Sequence, residues 1–395
     1  MENLTHSLAG AVIADAALRA DATRGERRVF LIAGVIASNA PDLDLLYTSI
    51  TPMPIGYLLH HRGHTHTLVG AAAIFAGLLL LMRLFGSGRS PAQLVRLCAV
   101  LAASLLSHLA LDAANTYGVH PFSPADNRWY YGDTFFVFEP GLWTVLGAAA
   151  ALNATSRVGR ALLIASVVAL PISTVVAGLV PWAAITVIGA TTIVLAGAAR
   201  GRSPRTRSVI ALTLCALYAG AMSGLSRYAR AEVRAEASTP LPAQVLDIVM
   251  TPNPAFPVCW AIIMIERDDR AGTLMLRRGS FSLLPGFHPA VACPLNRFAT
   301  SRDLREAGGD RYVWVDEYRL PVDDVRRLVT DCWAAAWLRF ARAPVWDGRR
   351  LFDLRFESDA RGNFTSMRYD ANVSHLGCPP RVPPWEMPRA DALAR

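Results

Sequence analysis

No lysine occurs among the 395 residues: all 39 basic side chains are arginine, set against 31 acidic ones. A genome rich in G and C produces that bias as readily as selection does, so by itself it excludes no function. Also missing is a basic block with interleaved aromatics that would track a phosphate backbone. Nucleic acid is therefore not an expected partner, despite the net charge of +8. Cysteine is scarce, at six, and no CxxC pair occurs, which argues against a structural zinc held by thiolates. The opening MENLTHSLAG lacks the basic start of a secretory leader, so no cleavage is expected and His6 stays available for chemistry.

Charge is sparse through the first 229 residues, since residues 230–395 hold 44 of the 70 charged side chains. Hydrophobic residues make up 53% of the chain and the mean hydropathy is +0.30, high for a soluble protein of this length. Windows long enough to cross about 30 Å of hydrocarbon fall near 68–85, 94–114, 137–154, 158–179, 181–199 and 207–226. Shorter apolar segments at 4–18 and 29–46 precede them. The expected fold is an all-α polytopic membrane domain of about eight helical segments over residues 1–229, followed by a soluble α+β domain over 230–395.

Arginines punctuate the apolar runs. They fill four connections: Arg19, Arg24, Arg27 and Arg28; then Arg83, Arg89 and Arg96; then Arg157 and Arg160; then Arg200, Arg202, Arg205 and Arg207. If all eight segments cross, these connections share one side, which the positive-inside rule makes cytoplasmic. Both termini, and with them the second domain, are then expected on the periplasmic side. In that domain 258–266, 311–318 and 351–358 read as strands, 321–341 reads as an amphipathic helix, and the tail from Cys378 reads as extended. Cys259, Cys293, Cys332 and Cys378 permit one or two disulfides there, with partners that spacing does not assign. Cys98 and Cys215 fall inside spans, and His288 and His375 lack acidic neighbours at useful spacing.

Against this background the placement of imidazoles and acids stands out. HHRGHTHT puts His60, His61, His64 and His66 at the mouth of an apolar run, in a chain with only nine histidines. APDLDLL carries Asp42 and Asp44, SHLALD carries His108 and Asp112, and YGDTFFVFEPG carries Asp133 and Glu139. In the eight-segment topology all of these, with His6, fall on the face opposite the arginines. His108 and Asp112 are four apart on an expected helix and share its face, as a ligand pair, a ligand with its orienting acid, or a packing pair. Asp42 is the preferred ligand of its pair, with Asp44 as bridge or outer acceptor. His64 and His66 can ligate together if their backbone is extended, while His60 and His61 read as rim residues. Ionisable groups inside spans are costly and point to function.

The set THSLAG, PDLD, HRGHTHT, SHLALDAANTYG and a later acid before proline at Glu139 resembles the YdjM-type family described as membrane-bound metal-dependent hydrolases. The resemblance implies an inner-membrane, multi-pass protein with a polar site drawn from His6, Asp42, Asp44, His61, His64, His66, His108 and Asp112. That family often has aspartate where Glu139 stands. Mixed N and O ligands suit zinc, with manganese as the alternative, as one or two ions. The expected function is hydrolysis of a lipid-linked or envelope ester or phosphoester at the outer face of the membrane. In this reading Glu139 or Asp133 carries the proton, and Arg62 and Arg128 meet a phosphate. The competing readings are a proton- or metal-coupled transporter and a non-catalytic platform that binds an envelope protein through residues 230–395.

Overall fold

The computed structural model describes residues 1–85, 88–237, 243–294, 306–308, 310–356, 362–369 and 377–393. His375 and residues 357–358 of the third expected strand lie outside them. Nine helices come first: α1 (Asn3–Ala17), α2 (Arg24–Asn39), α3 (Ile55–His60), α4 (Leu68–Phe85), α5 (Pro91–Ala113), α6 (Pro140–Asn153), α7 (Arg157–Val176), α8 (Trp182–Ala199) and α9 (Pro204–Ala237). A 3-10 stretch, Ala40–Ile50, continues α2, and a 3-10 turn, His64–His66, separates α3 from α4. Local chemistry sets the starts. Thr23, Ser90 and Ser156 cap α2, α5 and α7 with side-chain oxygens, and Ser90 with Gln93 completes a capping box.

Helices occupy every segment expected to be one, but they do not make eight spans. Five are long and apolar enough to cross a membrane, or six if the pair Ile55–His66 and Leu68–Leu84, bent by 66°, counts as one broken span. The shortfall is one of length: α1 has 15 residues and α6 has 14, about 21–23 Å of helix against about 30 Å of hydrocarbon. Counting crossings therefore does not fix the sides. The two faces are nonetheless distinct. Arg27 pairs with Asp15 at 2.8 Å, Arg96 with Glu26 at 2.9 Å, the Asn153 amide donates to Asp15 at 3.0 Å, and Arg207 donates to the Leu152 carbonyl at 2.9 Å. These contacts gather the arginine-rich connections at one end of the bundle.

Helices α1 and α2 approach most closely where glycine faces glycine. A Cβ on Gly34 would sit 2.3 Å from the Gly10 carbonyl oxygen, and one on Gly10 equally close to that of Gly34. Small residues at such crossings let backbones meet inside a membrane. Gly34→Val is expected to cost at least about 1–3 kcal/mol by overpacking, read as a lower unfolding temperature of the full chain in detergent. An unchanged transition would show that this crossing does not hold the bundle.

The remaining chain forms a five-stranded antiparallel sheet in the order β1 (Gln244–Asn253), β2 (Phe256–Asp268), β3 (Thr273–Ser282), β5 (Tyr312–Pro321), β4 (Glu306–Gly308). A second sheet joins β6 (Pro344–Trp346), β7 (Arg350–Asp353) and β8 (Met367–Arg368). The expected helix over 321–341 is two, α10 (Val322–Thr330) and α11 (Cys332–Leu338), because Asp331 stops the first and caps the second through the Trp333 and Ala334 N–H groups. Disulfides join Cys259 to Cys293 and Cys332 to Cys378.

This domain is not an appended tail. Ile248, Met250, Trp260, Ile262 and Met264 on one sheet face share a hydrophobic core with Leu8, Val12, Leu142, Met222 and Val233 of the helices. Val249, Ile263 and Ile265 on the other face pack with Val325, Val345 and Phe352. Helix α9, about 51 Å long, is too long for the bilayer alone, and its last turns carry it up to the sheet. The compositional boundary at 229/230 falls inside it.

Candidate metal centre

Asp42 occupies the first turn of the 3-10 stretch that Pro41 opens, and His66 ends the short 3-10 turn after Gly63. His108 and Asp112 lie one turn apart on α5, where the 3.6-residue period puts both on the buried face. His6 comes from the buried face of α1. Packing of these elements brings the side chains to one point. His66 Nε2 is 3.0 Å from His108 Nε2, 3.2 Å from Asp112 Oδ2 and 3.5 Å from Asp42 Oδ1. His108 Nε2 is 3.6 Å from both carboxylates.

Those spacings fit a small cation. Four N/O ligands about 2.0–2.1 Å from a tetrahedral ion lie about 3.3–3.4 Å from one another, and the five separations above run from 3.0 to 3.6 Å. Two imidazole nitrogens 3.0 Å apart with two carboxylates beside them can share a proton or hold a cation. His66 and His108 are fully buried, Asp112 is 1% exposed and Asp42 9%, so only Asp42 reaches the surface.

Outer contacts orient the ligands. His108 Nδ1 is 2.7 Å from the Ser38 carbonyl oxygen; donating there leaves Nε2 as the free lone pair. Asp44 does not face the cluster directly. Its Oδ2 accepts from the Arg62 N–H at 2.9 Å and the Thr65 hydroxyl at 2.8 Å and lies 3.2 Å from His66 Nδ1, while Oδ1 lies 3.0 Å from His61 Nδ1. One carboxylate thus ties down the HHRGHTHT loop and aims His66. Asp44→Asn is expected to weaken divalent-ion affinity by about 10–100-fold, the range for such outer partners. Titration of the detergent-purified chain checks this, and unchanged affinity would remove Asp44 from the centre. Asp42, Asp44 and His61 are also close enough to hold an ion of their own.

Arg62 sits inside, 3.1 Å from Asp112 Oδ2, with Nη1 donating to Asn115 at 2.9 Å and its guanidinium over the Tyr117 ring. His6 stacks on His108 at 3.8 Å, and its Nε2 lies 3.4 Å from Asp112 Oδ1, which the Met1 amino group also contacts. Neither His6 ring nitrogen has a hydrogen-bond partner among the described residues.

Residues 1–223, more than half of the chain, match the family described as YdjM inner membrane protein. The chain belongs to that family. No curated protein and no solved structure matches it. Membership places this YdjM-family chain in the inner membrane, in keeping with its membrane-length helices.

Other expected site residues of this YdjM-family chain stand apart from the cluster. His64 is exposed and turned toward Trp385, 4.9 Å between rings. The expectation that it ligates beside His66 needed an extended backbone; in a 3-10 turn, three residues per turn set i and i+2 about 240° apart. Asp133 is fully buried against Arg342, at 2.8 and 2.9 Å, and Arg230. Glu139 caps α6 and contacts Gly141, Tyr218 and Ala255. Arg128 is exposed and paired with Asp126.

No local pattern announces the roof over the HHRGHTHT loop, because it comes from residues more than 300 positions away. The Trp385 indole N–H donates to the Leu59 carbonyl at 2.8 Å, and its ring stacks on His120 at 3.9 Å. Burial holds the His120 imidazole down to about 3, so it stays neutral and acts as an apolar wall. Arg355 donates to the Thr116 and Tyr117 carbonyls, just beyond the Asp112 turn.

Proposed function

We propose that the chain is a metal-dependent hydrolase acting on a lipid-linked or envelope ester or phosphoester at the outer face of the inner membrane, with the sheet domain on the periplasmic side. The observation that carries this reading is the spacing of the four donors from Asp42, His66, His108 and Asp112, which suits zinc or manganese. A divalent ion held there supplies a Lewis acid and, at neutral pH, an activated water. Arg62 balances the charge of Asp112. His6, with free ring nitrogens beside Asp112, is the proton carrier in this proposal, because Glu139 and Asp133 spend their contacts elsewhere. Substrate reaches the centre past the 40–50 stretch, where Leu43, between the two aspartates, and Leu46, two residues beyond them, are 59% and 81% exposed. An apolar doorstep beside the one surface-reaching ligand, Asp42, favours a substrate presented by lipid.

One observation favours a different reading. Four protein ligands make a closed, structural set, whereas catalytic zinc usually keeps a position open or expands to five. A screen of the metal-loaded full chain against membrane lipid extracts separates the two. Metal-dependent turnover, lost in His6→Ala with metal still bound, supports the hydrolase; stoichiometric metal without turnover supports the platform. Thiol labelling of single cysteines placed near residues 60 and 200 tests the sides, and labelling of both from one side would overturn the proposed topology.

A further inference from the structure

The two ends of the five-stranded sheet differ in chemistry. Antiparallel pairing puts the β1–β2 turn and the connection that leaves β3 at one end, and the β2–β3 turn at the other. That far turn carries Arg267, Asp268, Asp269 and Arg270. The connection leaving β3 reads LLPGFHPAVA over 283–292, with no arginine and no acid. Within it Leu284 is 55% exposed, Phe287 75% and Val291 60%. The loop fixes these side chains outward by its own bonds. The Phe287 and His288 N–H groups donate to the Leu284 carbonyl at 2.9 Å, the Ser282 hydroxyl donates to the His288 carbonyl at 2.5 Å, and Cys293 ties the loop to Cys259 of β2. A fixed cluster of exposed apolar side chains marks a contact with something apolar.

Contacts place this end of the sheet against the ends of the membrane-length helices. Ala255 and Pro257 border the gap between α6, α8 and α9 together with Val187 and Ile188, which lie in the second turn of α8. Between them in sequence is Phe256, and the His288 ring meets its ring edge-on at 5.2 Å. Beyond the loop, Pro294 shares a small cavity with Phe136 and with Leu179 of the α7–α8 connection, and its carbonyl accepts from the Asn253 amide at 3.2 Å. Helices α7 and α8 are the least buried of the membrane-length helices, so lipid surrounds them. Trp182, at the first position of α8, is exposed, as is Phe138 just before α6. Exposed aromatics at helix ends mark the membrane–water interface.

We infer that loop 283–292 is a membrane foothold: it rests in the headgroup layer beside the ends of α7 and α8, with Leu284, Phe287 and Val291 entering the hydrocarbon boundary. The bilayer is the occupant because it already surrounds the neighbouring helices, and because the loop offers a protein partner no charge to pair with. The His288 imidazole is turned inward, onto Phe256 and to within 3.0 Å of the Ala292 carbonyl oxygen. The sheet domain is thus held by lipid at its apolar end, while its charged turn stays in water. No residue of the metal cluster takes part, so the foothold stands whether or not that cluster holds an ion.

The test uses the full chain in phosphatidylcholine–phosphatidylglycerol vesicles, with Cys98 and Cys215 replaced by alanine and a bimane dye attached through Phe287→Cys, or through Arg270→Cys on the charged turn for comparison. Phosphatidylcholine carrying a nitroxide at acyl carbon 5 should quench the dye at 287 at least about threefold more than the dye at 270, since interfacial apolar faces sink about 5–10 Å into the boundary. Iodide on both sides of the membrane should show the reverse order. Leu284→Cys supplies a second position if the first variant does not fold. Adding Leu284→Asp and Val291→Asp to Phe287→Cys should bring its lipid quenching down to that at 270. Three results would overturn the inference: lipid quenching equal at 287 and 270, which leaves the loop in water; a dye at 287 reached by neither quencher, which puts a protein partner or a second copy there; or lipid quenching unchanged by the two aspartates, which makes it a property of the dye.

Discussion

Replacing His66 with alanine is expected to abolish stoichiometric metal binding, leaving less than about a tenth of an ion per chain, while His64→Ala leaves metal content unchanged. The two residues are two positions apart and chemically identical, so the pair isolates geometry from composition. His66 is fully buried and touches three other candidate ligands, whereas His64 is exposed against Trp385. Losing one of four ligands should exceed the 10–100-fold effect of an outer partner, so affinity should fall by more than about 100-fold. Asp42→Ala, His108→Ala and Asp112→Ala should behave like His66→Ala. Elemental analysis of the purified chain, with competition against a chelator of known strength, reads the outcome. Equal metal content in all five variants would mean that the cluster is a polar packing network and not a metal centre.

Arg342→Ala is expected to produce a large loss of stability. Arg342 forks onto Asp133 and also donates to Asp247 at 2.8 Å, inside an interface where it is 2% exposed. Removing one partner of a buried ion pair leaves uncompensated charge, at a cost of about 3–5 kcal/mol. Here Asp133 keeps Arg230 and Asp247 keeps Arg389 at 3.6 Å, so the lower end of that range is expected. The first consequence should be loosening of the sheet domain, seen as protease cleavage within residues 243–294 before the helical part unfolds. Double replacement of Asp133 and Arg342 should cost much less than the sum of the single changes. Additive costs would show that the pair does not tie the domains.

The same tie carries a pH dependence. Burial raises the Asp247 carboxyl, but the charge and hydrogen bonds of Arg342 outweigh it and hold the group below the ordinary carboxylate range. A carboxylate depressed in the folded state contributes stability that is present above its unfolded-state value near 4 and lost as pH falls through the folded one. Docking of the sheet domain should therefore be insensitive to pH around neutrality and weaken below about pH 4.

The helical segments and the polar end were legible because their signals are local. An apolar run of membrane length needs no partner to be recognised, and an imidazole or carboxylate set in such a run is conspicuous because hydrocarbon penalises it. The segment 4–18 has the length of α1, whereas the window 137–154 overran α6 because Val137 and Phe138 are apolar but precede the Glu139 cap. Strands β1 and β3 escaped the alternation pattern for a related reason: β3 is buried along almost its whole length, which erases the two-residue period. The break at Asp331 was hidden because an aspartate is equally at home capping a new helix or on the solvent face of a continuous one.

By itself the sequence determined that this is a multi-helix membrane protein of the YdjM type, with arginines at one end of its helices and histidines and aspartates at the other. Periodicity, run length and the cost of burying charge act over a few residues, and a linear reading captures them. Only the tertiary structure decided which polar residues meet: that His66 and not His64 faces Asp112, that Asp44 aims a ligand, and that Asp133 serves an interface. It also decided that Arg342, Arg355 and Trp385 fasten the sheet domain over the same end. Such contacts join residues up to 326 positions apart, and fractions of an ångström in helix packing settle them.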